Sequence, residues 1–261
     1  GHVYKICIFV PGFVIYRSMK FTPIQTRVFQ PPKDDIYALL DESLPQLQER
    51  DILLITSKVL AIHQGRCVKI DGSIEKHEIA KNEADAYVEY INNHGYEFML
   101  TRKDNTLVSS AGIDTSNSDG YCTFLPKHTS QLCKELSLFL RKKHKIQNLA
   151  VIAVDSHSLP LRYGAVGVSV GFFGLKPLRS YIGKKDIFGR VLKVSRSNIV
   201  DSIASAATLV IGEGDERRPL CIARNVEDVE FTEKETFEDL IIPEKEDMYY
   251  PLLKVFKKKK K

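Results

Sequence analysis

No stretch of the 261 residues approaches the roughly 20 consecutive apolar residues needed to span a bilayer, so no transmembrane helix is expected. None of the five cysteines, Cys7, Cys67, Cys122, Cys133 and Cys221, belongs to a C-x-x-C pair, and their number is odd. That pattern disfavours a disulfide framework and a thiolate zinc site, and fits a reducing cytoplasm. Most of these thiols are expected to serve as small core residues. The chain carries no Walker loop, no G-x-G-x-x-G turn, no G-x-S-x-G elbow and no histidine at zinc-like spacing from His157. Internal repeats, heptads and long Pro/Ser linkers are also missing. Charge of one sign is scarce in the body of the chain. The formal net charge is +5, and the terminal run Lys257–Lys261 accounts for it as a solvated tail. The other basic residues lack the interleaved aromatics of a strand-binding groove, so no nucleic-acid partner is expected.

What is present is material for a core: 43% hydrophobic against 27% charged residues, enough for one large domain or two subdomains. Tyr4 to Tyr16 is apolar but broken by Pro11-Gly12 and followed by no small-residue cleavage site, so it is not read as a signal peptide. Residues 1–18 are set aside as an extension outside the fold. Lys33 to Glu49 places Ile36, Leu39, Leu40, Leu44 and Leu47 on one helical stripe, with Asp34 and Asp35 in its first turn. Asp51 to Ser57 then reads as a buried strand ending in hydroxyls. A second helix is expected across Ala80, Ala84, Tyr87 and Ile91, and a third from Thr129-Ser130 through Leu132, Leu136, Phe139 and Leu140. Asn148 to Val154 is a second buried strand that delivers Asp155 at its end. A fourth helix is expected from an Asn198 cap through Ile203 and Ala207, leading by way of Leu209 to Ile211 into Gly212-Glu213-Gly214. Ala165–Phe173 and Leu220–Phe231 read as consecutive strands. The fold class predicted is mixed α/β (α+β), a layered mixed sheet with flanking helices.

Three acids follow or interrupt turns directly after apolar runs: Asp114, Asp155 and Glu213. Ligands of layered α/β proteins collect outside the carboxyl ends of strands, and magnesium or manganese takes oxygen ligands from such positions. Carboxylates gathered there would repel one another without a cation between them. A lone acid before a hydroxyl residue more often caps a helix or turn, and three at comparable positions shift the balance towards metal. Thr56, Ser57 and Lys58 offer hydroxyls and a cation suited to phosphate. Gly212 to Pro219 reads equally as a phosphate loop or an exposed hairpin. His157 beside Asp155 reads as a group behind the ligands rather than a ligand.

Taken together, several blocks resemble the coenzyme F420-0:γ-glutamyl ligase family over most of residues 19 to 225. They are Pro23-Ile24, Ser57-Lys58 with Gly65-Arg66, Gly112-Ile113-Asp114-Thr115-Ser116-Asn117, Asp155-Ser156, and Leu161 to Gly167. Gly183 to Arg190, and Ile203 to Ala207 leading into Gly212-Glu213-Gly214, complete the set. The resemblance implies a ligase domain over 19–245 in a two-subdomain architecture with a seam near 70–105, followed by a C-terminal segment, 246–261, with the basic tail. It implies a metal site in which Asp114 and Asp155 hold one divalent ion and Ser156 and Glu213 help hold a second, magnesium or manganese, with potassium as a further candidate ion. It implies GTP contacts from Pro23, Ile24, Gln25, Ser57, Lys58, Asn117 and the loop Ile211, Gly212, Gly214, Asp215, Glu216, Arg217 and Arg218. Asp114, Asp155 and Arg162 are the catalytic candidates, and Arg162, Lys184, Lys185 and Arg190 are candidates for holding an anionic acceptor or leaving phosphate. The implied reaction joins L-glutamate to a carboxylate such as that of coenzyme F420-0 through an acyl phosphate, in a cytoplasmic homodimer.

Three departures bear on substrate. Ile62 stands where the family commonly has a lysine shortly before its Gly-Arg pair. His157-Ser158-Leu159 replaces an Asn-Gly-Arg-like continuation after Asp155. Asp215 to Arg218 is bulkier and more charged than a glycine-rich nucleotide loop. They keep two rivals in view: a ligase for another carboxylic acid, and a nucleotide-binding relative without turnover.

Overall fold

The computed structural model describes residues 18–71, 76–91 and 97–258. Of the extension assigned to residues 1–18, all but Ser18 lies outside the described residues, as does the tail beyond Lys258. In chain order the elements are β1 (Lys20–Ile24), α1 (Ile36–Ser43), β2 (Asp51–Thr56), α2 (Ser57–His63), β3 (Cys67–Lys69), α3 (Lys76–Glu83), β4 (Ala86–Ile91), β5 (Glu97–Lys103) and β6 (Thr106–Ser109). There follow β7 (Tyr121–Thr123), α4 (Thr129–His144), β8 (Leu149–Ser158), β9 (Ala165–Phe173), β10 (Leu178–Ser180), β11 (Arg196–Asn198), α5 (Ile199–Ile211), β12 (Leu220–Arg224), α6 (Tyr250–Leu253) and β13 (Lys257–Lys258).

A five-stranded mixed sheet, ordered β1-β12-β2-β8-β9, forms the centre. Only β2 and β8 run parallel, with Thr56 opposite Val154. Their continuous apolar sequences follow from burial on both faces. Leu53, Ile55, Val151 and Ala153 point to one side, where α1, α2 and α4 cover them. Ile52, Leu54, Ala150 and Ile152 point to the other, against α5. A second sheet, β13-β4-β5-β6, carries α3 and its own small core of Ala80, Met99, Ile113 and Cys122. The mixed α/β expectation therefore holds, and no helix among the described residues is long and apolar enough to cross a membrane.

Several elements differ from the sequence expectation. Helix α1 stops at Ser43, because Pro45 forces Leu44 into an extended conformation (ψ 131°), yet Leu47 still enters the core at 1% exposure. Tyr87 and Ile91 do not extend α3 but lie on β4, where pairing with β5 overrides their helical spacing. The strand expected over Leu220–Phe231 ends at Arg224, since Asn225 turns the chain with φ 56°, and Phe231 keeps only an isolated bridge to Leu175.

Candidate active site

Because β2 and β8 are parallel, their carboxyl ends open on the same edge of the sheet. Strand β12 runs antiparallel to β2, so its beginning, and the loop 212–219 feeding it, arrive there as well. Ser57 opens α2 without an intervening loop and is buried. Asp155 lies inside β8, which continues to Ser158 instead of ending before it. A register shift at Ala153/Val154 re-aims the strand at this point. Asp114 comes from a second body, the part of the chain whose small core joins Ala80, Met99, Ile113 and Cys122 around the second sheet, and is fixed by paired backbone bonds with Thr123.

These segments line one cavity of about 1030 Å³. Ser57 Oγ donates to Asp155 Oδ1 at 2.6 Å, and His157 Nε2 stands 3.2 Å from Asp155 Oδ2. Ser156 Oγ donates to Glu213 Oε1 at 2.5 Å. Lys58 Nζ lies 2.7 Å from Asp114 Oδ2 and also donates to the Ser116 carbonyl. Ser116 donates to Asp114 through its backbone N–H and its hydroxyl. Burial resists ionisation of Asp114, and the bonds from Lys58 and Ser116 more than offset it, so its pKa lies below the ordinary value. Asn117 Nδ2 donates to the Gly214 carbonyl at 2.9 Å and joins the two bodies across the cavity.

Of the residues singled out from sequence, Asp114, Asp155, Ser156, Glu213, Ser57, Lys58, Asn117, Ile211, Gly212, Gly214, Asp215, Glu216, Arg217 and Arg218 all line this cavity. Pro23, Ile24 and Gln25 do not; the wall there is Thr26 to Pro31. Arg162 is in the exposed turn between β8 and β9, and Lys184, Lys185 and Arg190 are exposed between β10 and β11, all outside the cavity lining. The Thr26–Pro31 wall has no counterpart among the residues singled out from sequence. It is held by a two-pronged ion pair from Arg27 to Asp34, whose carboxyl is drawn down to about 2 chiefly by that guanidinium. The segment has no periodicity, so Pro31-Pro32 was the one local signal there.

Among the described residues no three His, Cys, Asp or Glu side chains stand together as a metal-holding group. The cavity instead distributes hard oxygen donors, Asp114, Asp155, Glu213, Ser57 and Ser156, around its wall. This donor set fits magnesium or manganese, which are commonly held by one or two carboxylates while substrate phosphates and water supply the remaining ligands.

The F420-0:Gamma-glutamyl ligase family matches residues 23–225. A coenzyme F420:L-glutamate ligase of Methanosarcina barkeri is 31% identical over 245 residues, covering 87% of this chain and 92% of the relative. Its namesake in Methanopyrus kandleri is 31% identical, covering 80% and 88%. That of Methanothermobacter thermautotrophicus is 32% identical, covering 72% and 80%. On the extent of that family match, which takes in every acid of the cavity wall named above, the chain belongs to the F420-0:γ-glutamyl ligase family.

Proposed function

We propose that this protein is a GTP- and divalent-metal-dependent ligase that joins L-glutamate to the carboxylate of coenzyme F420-0 through an acyl phosphate. The observation that carries this reading is that Asp114, Asp155 and Glu213, each with a hydroxyl partner, face one cavity from different parts of its wall at the sheet's carboxyl edge. The names of the relatives support glutamate and the F420 acceptor.

A carboxylate resists attack by an amine until one of its oxygens becomes a leaving group, which the γ-phosphoryl of GTP would make it. Magnesium or manganese, when bound, would neutralise charge on the transferring phosphoryl group. Asp114, Asp155, Ser156 and Glu213 would hold that metal. Lys58, drawn onto Asp114 and Ser116, sits where an ammonium can also meet phosphate oxygens. Ser57 and His157 engage both oxygens of Asp155 and keep the carboxylate from rotating. Asn117 and, in the loop after α5, Ile211, Gly212, Gly214, Asp215, Arg217 and Arg218 would contact the nucleotide. No enzyme nucleophile is required.

The test is release of GDP with magnesium or manganese, with and without F420-0 and L-glutamate. Release is expected to need both acid and amine, and Asp114→Asn or Asp155→Asn is expected to abolish it. A near-normal rate in either variant sinks the site. A nucleotide-binding relative without turnover has one residue in its favour: Ile62, 2% exposed, puts a packed aliphatic side chain on the cavity wall where the resemblance has lysine. Tight GTP binding without GDP release would select that reading.

A further inference from the structure

The loop between α5 and β12 is anchored at its two ends by backbone. Gly212 N–H donates to Thr208 O as the helix closes, while Arg217 O accepts from Thr26 N–H and Pro219 O from Thr56 N–H. Its middle, which carries Glu213, is held differently. Glu216 folds its carboxylate back into the loop and accepts the Gly214 N–H at 2.8 Å. Gly212, with φ 86°, leaves the space this needs, since a Cβ there would overlap the Glu216 carboxyl group. The turn held in this way presents Glu213 to Ser156 and the Gly214 carbonyl to Asn117.

We propose that Glu216 is a positioning residue, its carboxylate serving as an internal brace that holds the 212–214 turn and thereby fixes Glu213 towards Ser156 and the metal side of the cavity. The role of Glu213 rests on the functional reading above; the brace itself does not. Glu216 is thus occupied by its own loop, in contrast to the nucleotide contact expected of it from sequence. The turn sits at the carboxyl end of α5, where helix carbonyls carry partial negative charge and disfavour Glu213, Asp215 and Glu216 alike. The Gly214 N–H gives Glu216 a local donor against that field, alongside the Ser156 and Asn117 bonds that also reach the turn. Position, rather than charge, is what Glu216 supplies, so an amide of the same shape can replace it.

The experiment compares wild type, Glu216→Gln, Glu216→Ala and Gly212→Ala. Amide hydrogen exchange over residues 212–216, in protein without ligands, is expected to quicken about tenfold or more in Glu216→Ala and Gly212→Ala. In Glu216→Gln it should stay within about threefold of wild type. Equal exchange in wild type and Glu216→Ala, or equal loss in Glu216→Ala and Glu216→Gln, overturns the brace. Binding of Mn2+ in the presence of GTP is then expected to weaken about 10- to 100-fold in Glu216→Ala, the scale for removing a group behind a metal ligand. Glu216→Gln should rescue it, and kcat at saturating Mn2+ should change less than the apparent KM for the metal. Failure of wild type to bind Mn2+ with GTP counts against the functional reading, while altered exchange still upholds the brace. Wild-type Mn2+ affinity in Glu216→Ala counts against the brace's positioning of Glu213 alone. Gly212→Ala denies the carboxylate room but also strains the backbone at φ 86°, so, should Glu216→Ala fold poorly, the decision rests on Glu216→Gln, whose exchange and Mn2+ binding must stay near wild type.

Discussion

His144 ends α4 and is buried, with only 8% of the residue exposed. Its Nδ1 lies 3.2 Å from the Leu47 N–H and accepts from it, so the proton of the neutral ring is on Nε2, which is buried with no hydrogen-bond partner among the described residues. Burial, helped by Lys143, lowers its pKa below 6.5. A lowered folded-state value means that the unfolded chain binds the proton first. The stability that His144 contributes is therefore present above about pH 6.5 and is lost as pH falls through the folded value. Thermal unfolding followed from pH 7.5 to 5 is expected to show a steeper acid-side loss in wild type than in His144→Gln; parallel profiles would contradict it. At the cavity the acids could be read from sequence, because each follows or interrupts a turn after an apolar run. Their partners could not: Lys58 and Asp114 are 56 positions apart in number, and nothing local to either marks the pair.

Helix α5 and strand β9 approach closely through small residues. Ser205 Oγ donates to the Gly167 carbonyl at 2.7 Å, and a Cβ on Gly167 would overlap Thr208 Oγ1 and lie 2.5 Å from the Ala204 carbonyl oxygen. The clash is with helix backbone as well as with a side chain, so it cannot be relieved by a rotamer change. Gly167→Ala is expected to destabilise the fold by about 1–3 kcal/mol, read as a lower urea midpoint at unchanged slope. An unshifted midpoint would mean that α5 moves freely at this contact. The motif ending in Gly167 was visible in sequence, but its reason was not, because the helix that demands the glycine begins 32 residues later. Helix α5 itself was legible, since Asn198 caps it by accepting the Asp201 N–H. Strand β4 was not, since Ala80, Ala84, Tyr87 and Ile91 satisfy a helical period and only the neighbouring strand turns the last two into a sheet edge.

Across the whole molecule, the chain after β12 returns to the second sheet, where β13 pairs with β4 and Arg102 Nη1 donates to Glu244 Oε2 at 2.5 Å. That return ties together the two bodies whose faces enclose the cavity: Val108 to Asp114 on one side, β2, β8 and the 212–219 loop on the other. Arg102→Ala is expected to cost about 1 kcal/mol, as for a partly exposed ion pair, and to speed amide exchange in β4 to β6 while leaving β2 and β8 unchanged. A uniform change across both sheets would show that the tie does not act locally. The amino-acid sequence alone determined the buried strands, the capped and amphipathic helices, and the acids that follow apolar runs. These are local matters of periodicity, capping and turn chemistry. Only the tertiary structure decided which hydroxyl meets which acid, that Thr26 to Pro31 instead of Pro23 to Gln25 walls the cavity, and that Glu216 turns inward. Those outcomes depend on strand order and on packing between segments far apart in the chain, which no local pattern encodes.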